Sequence, residues 1–172
     1  MRPADVGSES FMPRAEQGIR TTPSLLDRLI DDPSEAHQAH DWYEEIRRLK
    51  DSVARDLEAL LNTRQEMSAE ALEERENLGR SLLTYGLPDF SSLVVTSPRD
   101  YERVQRAVAK AIKDFEPRLM NVVVTVATPR DVDRSLRFHI EASLRVEPTP
   151  EPVTFDAVMQ PETQEYKVQG SG

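Results

Sequence analysis

Apolar residues recur at three- and four-residue steps along two stretches of the chain, and each stripe predicts an amphipathic helix. In residues 41–61 the stripe is Trp42, Ile46, Leu49, Val53, Leu57, Leu60 and Leu61. Asp41 can cap its start, and Asn62-Thr63-Arg64 closes it with residues that compete for backbone hydrogen bonds. In residues 97–115 the stripe is Tyr101, Val104, Val108, Ala111, Ile112 and Phe115. Ser97 can cap it and Pro98 suits its first turn, while Pro117 stops it and restricts Glu116 to extended geometry. Two shorter patches accompany these. Leu25, Leu26, Leu29 and Ile30 share one face of two helical turns, too short to persist alone, so that face docks on the protein's own core or on another subunit. Leu78, Leu82 and Leu83 form a helical patch closed by Tyr85-Gly86-Leu87-Pro88-Asp89, with Gly86 suited to the left-handed conformation.

The period then falls to two. Val122-Val123-Val124-Thr125-Val126 reads as a strand covered on much of both faces. After the turn residues Thr128-Pro129-Arg130-Asp131, Leu136, Phe138, Ile140, Ala142, Leu144 and Val146 alternate with Arg137, His139, Glu141, Ser143 and Arg145. That is an antiparallel strand with one wet face, expected beside a strand at a free edge. Val153, Phe155, Ala157 and Met159 alternate in the same way beyond a Pro-rich turn, and Tyr166 and Val168 suggest a last short strand. Helices first and strands later predict an α+β domain, helices packed on one face of a small antiparallel sheet, spanning residues 23–169. Residues 1–22 lack any period and read as a disordered or partner-ordered tail, and Gly170-Ser171-Gly172 reads as a flexible end.

Charge narrows the class. A net charge of −9 works against a sequence-independent grip on nucleic acid. No apolar run approaches the roughly 18 residues of a membrane span. The first ten residues lack a secretory core, and the absence of Cys excludes disulfide and thiolate chemistry; together these predict a cytoplasmic protein. His37 and His40 read as part of a solvated linker and the Glu-rich stretch 65–77 as a solvated face in which Ser68 could open a short helix, and no metal or cofactor is expected. A phosphate-binding loop, a nucleophile elbow and a zincin motif are all missing. Glu116 could pair with Asp114 or Glu141 as a hydrolytic dyad, but 31 acidic residues supply such pairs by chance. Arg118, two residues on, also works against the protonated state a general acid needs. What stands out is the corner Phe115-Glu116-Pro117-Arg118-Leu119, where a forced helix stop aims side chains at a fixed angle.

Four stretches in order carry a family resemblance: Ser24-Leu25-Leu26-Asp27-Arg28-Leu29, residues 52–64 with Asp56-Leu57 and Leu60-Leu61-Asn62-Thr63-Arg64, Tyr85-Gly86-Leu87-Pro88-Asp89, and the Glu-Pro-Arg corner. Together they resemble the TssE family of baseplate subunits in bacterial type VI secretion systems, and the wedge and sheath-initiator subunits of contractile-tailed phages. The resemblance covers about residues 23–168. It implies a structural, non-enzymatic protein at a cytoplasmic baseplate docked on the inner-membrane complex. Its implied partners are the TssF, TssG and TssK wedge subunits and the first ring of TssB/TssC sheath subunits, met by strand exchange, with no nucleic acid and no direct membrane insertion. The implied contact residues are Glu116, Pro117, Arg118 and Leu119, with Leu25, Leu26 and Leu29. Removal of Arg118 is then expected to leave the monomer's stability almost unchanged. The alternative is a muramidase using Glu116, and a bacterial adaptor-inhibitor of regulated proteolysis shares the expected fold.

Overall fold

The two long stripes are helices in a computed structural model that describes residues 29, 42–67, 78, 80–90, 98–127, 136–160, 163 and 165–171. Helix α1 is Trp42–Asn62 and helix α2 is Pro98–Phe115. They are followed by β1 (Leu119–Ala127), β2 (Arg137–Leu144), β3 (Glu151–Met159) and β4 (Tyr166–Ser171). The four strands form one antiparallel meander in the order β1-β2-β3-β4, so β1 and β4 are its edges among the described residues.

Alternation sends one side chain of every two to the same side. Phe138, Ile140 and Leu144 of β2 and Phe155 and Ala157 of β3 are fully covered there by Val53 and Leu57 of α1 and by Val104, Val108 and Ile112 of α2. Each such Leu, Ile or Phe contributes roughly 1.5–3 kcal/mol by leaving water. Helix α2 lies against β1 and α1 against β4. Phe138 and Tyr166 stack at 5.5 Å between centroids, tying β2 to the β4 margin. The α+β architecture expected from the pattern is the one observed.

Four details differ from the pattern. The Val-rich run is covered on one side only: Val123 is 55% exposed. A bulge between Met120 and Val123, with Asn121 at φ 55°, resets the register before that run. Leu82 and Leu83 do not extend a helical patch into the core; they sit in a one-turn 3-10 segment, Leu82–Thr84, with Leu82 exposed. The chain end expected to be flexible continues β4, with Gly170 opposite Phe155 and Ser171 opposite Thr154. Of the first apolar patch only Leu29 is described, helical and exposed; Leu25 and Leu26 lie outside the described residues, as do His37, His40 and residues 1–22.

Candidate functional site

The corner is built by backbone bonds before any side chain acts. The Glu116 N–H donates to the Ile112 carbonyl at 2.8 Å as α2 ends. The Leu119 N–H then donates to the Glu116 carbonyl at 3.2 Å, closing a four-residue turn with Pro117 in its second position, where a fixed φ fits. The Arg118 carbonyl accepts the Arg145 N–H at 2.8 Å, so the turn is pinned to the end of β2 as well. Pro117 points to solvent, whereas Glu116 and Arg118 are only 5% and 7% exposed.

The side chains form a connected set. Arg118 Nε and Nη2 donate to the two oxygens of Glu116 at 2.8 and 2.6 Å, a bidentate pair, and the Arg118 N–H adds a third bond to Glu116 Oε1 at 3.1 Å. Nη2 also reaches Asp56 Oδ2 at 2.5 Å, and Nη1 donates to Ser52 Oγ at 2.9 Å. Burial alone would draw the guanidinium toward neutrality, but Glu116 and then Asp56 outweigh it and raise its pKa. The Tyr85 hydroxyl is raised too, first by burial and then by the charges of Asp56 and Glu116. Its ring meets Phe115 edge-on at 5.2 Å, roofing the corner. Gly86 beside it has φ 104°, and a Cβ there would collide with the Thr63 carbonyl, so the position requires glycine on both counts.

With both oxygens of Glu116 held by one guanidinium, the arrangement supplies a rigid ionic joint rather than a free carboxyl poised for proton transfer. The expectation that Arg118 contributes little to the monomer is therefore corrected. Its fork faces inward onto α1, and the side chain belongs to the fold. Leu119 is likewise buried, in the main core.

Ser52 and Asp56, marked in the sequence only as part of the stretch 52–64, are what the corner rests on. They lie four residues apart on one flank of the α1 stripe. On the other flank Glu58 and Asn62, also four apart, serve the far edge of the sheet. The Asn62 amide pairs with the Tyr166 backbone in both directions: Tyr166 N–H donates to Oδ1 at 2.7 Å, and Nδ2 donates to the Tyr166 carbonyl at 2.9 Å. Glu58 Oε2 accepts the Val168 N–H at 3.0 Å while Oε1 pairs with Lys167 at 2.9 Å. Although desolvation opposes it, these donors hold the Glu58 pKa below the ordinary value. Helix α1 thus occupies backbone groups of β4 that a further strand would need. No comparable side-chain cap lies along β1 among the described residues. A period-four polar pair on each margin of an apolar stripe was the available clue.

On the wet face His139 Nδ1 meets Asp156 Oδ1 at 2.7 Å, Ser171 Oγ bonds the other oxygen of Asp156, and Glu141 lies 3.6 Å from His139 Nε2. His139 is therefore a strand-to-strand clasp. Among the described residues no His, Cys, Asp and Glu cluster could hold a metal ion, and no helix is long and apolar enough to cross a membrane.

The chain belongs to the baseplate wedge protein gp25 family, whose model matches residues 47–149, from α1 through the corner to the end of the turn after β2. Among solved structures it is similar to a chain of "The baseplate complex from the type VI secretion system", with a TM-score of 0.48 and 20% identity over 68% of this chain and 98% of that one. No curated protein matches the chain.

Proposed function

We propose that this baseplate wedge family member is a structural, non-catalytic subunit of a type VI secretion baseplate in the cytoplasm. It clamps the core bundle formed by the TssF and TssG subunits of a wedge that also holds TssK, and it templates the first ring of TssB/TssC sheath strands. The baseplate itself docks on the inner-membrane complex. The observation that carries the reading is the corner's geometry: an exposed Pro117 held on a turn that Glu116, Arg118, Ser52 and Asp56 lock from below. Because the turn is already ordered, docking costs little further conformational entropy. Pro117 and the rim carboxylate Asp56 form the contacting ridge, while Glu116, Arg118 and Leu119 set its position. Leu25, Leu26 and Leu29 supply a second, apolar contact. For the sheath, the supporting feature is β1, an uncharged Val-rich edge without side-chain caps among the described residues, suited to accepting a strand.

Co-purification with TssF and TssG tests the clamp. Pro117→Glu alters the exposed tip without touching the ionic joint, so it should lower the melting temperature only slightly and remove wedge subunits from the pull-down. Normal recovery of those subunits with Pro117→Glu would take the corner out of the interface.

A further inference from the structure

The solvent side of α2 carries a basic ridge beside one exposed acid, Glu102. Arg99, Arg103, Arg106, Lys110 and Lys113 recur at steps of four, three, four and three residues, and all five are exposed. They lie opposite Val104, Val108 and Ile112, which face the sheet. The ridge runs for about 21 Å at 1.5 Å per residue. At its far end Arg80 approaches Asp114 at 3.4 Å, and Lys110 pairs with Asp114 at 2.5 Å. Arg106 donates to the Glu102 carbonyl at 3.3 Å, and Arg99, Arg103 and Lys113 make no ion pair among the described residues. Like charges at these spacings repel along a helix. The outer face of α1, by contrast, mixes Glu44, Arg47, Arg48, Asp51 and Arg55. A mainly basic ridge on a chain of net charge −9 is a local feature set against the molecule's overall field.

We infer that the outer face of α2 is a docking surface for an acidic helix of a partner protein, one presenting carboxylates at matching three- and four-residue steps. The sign of the rest of the molecule selects this partner class. An extended polyanion such as nucleic acid, or an anionic membrane surface, meets the whole acidic chain, and among the described residues the ridge has no interleaved aromatic for base stacking and no flanking apolar wedge for lipid. A single acidic helix lies within a Debye length of the ridge and is screened from the remainder. The surface is separate from the Glu-Pro-Arg corner's ionic joint and from the β1 edge, so it stands whether or not the baseplate reading does.

The test uses the full chain and a synthetic helical peptide with Glu at the matching steps, alongside its Gln counterpart, a short DNA duplex and phosphatidylglycerol vesicles. The Glu peptide should bind, about tenfold more weakly at 0.3 M than at 0.05 M salt, and the Gln peptide should not. Arg103→Glu with Arg106→Glu should weaken Glu-peptide binding at least about tenfold. Arg103→Gln with Arg106→Gln should weaken it less, and should leave the melting temperature unchanged or higher, since it relieves repulsion. Salt-insensitive or absent binding of the Glu peptide, equal binding by the reversed variant, a Gln pair that unfolds the protein, or tighter binding to the duplex or vesicles would each overturn the assignment.

Discussion

Arg118 is the side chain on which α1, α2 and β1 converge. Removing the side chain would leave the buried Glu116 carboxylate with only the residue-118 backbone N–H as a donor, and breaking a buried pair in this way costs about 3–5 kcal/mol. Arg118→Ala should therefore lower the melting temperature by roughly 10 °C for a domain of this size. Arg118→Lys should recover less than half of that, because an ammonium cannot hold two Glu116 oxygens together with Ser52 and Asp56. A thermal melt decides; a loss under about 1 kcal/mol would mean that water screens the joint. The corner was legible in the sequence because Pro117 enforces it. The inward turn of Arg118 was not, because Ser52 and Asp56 lie 66 and 62 residues away and their spacing on α1 does not say which residue they hold. His139 was read as solvated for the same reason: Asp156 reaches it only through strand register. Its pKa is raised, chiefly by that hydrogen bond, and the Asp156 pKa is lowered by the same partner. The His139 contribution to stability is thus fully present below the ordinary imidazole value of 6.5 and is lost as the pH rises through the raised folded value. The Asp156 contribution is present above 3.8 and is lost as the pH falls through its lowered value. An NMR titration should find the His139 pKa elevated in the native protein and near its ordinary value in Asp156→Asn.

Helix α1 does two jobs with its two polar flanks. Asn62 gives β4 the donor and acceptor that a neighbouring strand would offer. Asn62→Ala should cost about 0.5–1.5 kcal/mol, since the released groups can find water, and should raise concentration-dependent self-association along the opened edge. Asn62→Asp keeps an acceptor for the Tyr166 N–H and should associate less. Sedimentation velocity at several concentrations separates the three proteins, and identical profiles would mean that Asn62 does not guard the edge. The extents of α1, α2 and the alternating strands were legible because each buries one face, and burial imposes the period. The wet side of Val123 was not, since a β-branched run has the same appearance on a doubly covered strand and on an uncharged edge. The exposed Leu82 misled in the opposite direction: apolar spacing over one turn does not establish what lies beneath it.

At the scale of the whole molecule the two edges are unequal. The β4 edge carries Asn62 and Glu58, whereas β1 presents Val123 and Thr125 beyond its bulge with no charge of its own. Beyond the bulge, unpaired backbone groups of an edge strand offer a template for another strand. The proposal that the chain starts a sheath therefore makes an asymmetric demand. Val123→Lys with Thr125→Lys places charge on exposed positions of the open edge, and Gln169→Lys places it on an exposed position of the capped one. The decisive measurement is sheath polymerisation from TssB/TssC on baseplates assembled with each variant, scored beside wedge co-purification. The β1 pair should keep its wedge partners and lose sheath initiation, while Gln169→Lys behaves as wild type. Normal initiation by the β1 pair, or an equal loss from the β4 variant, would contradict the template.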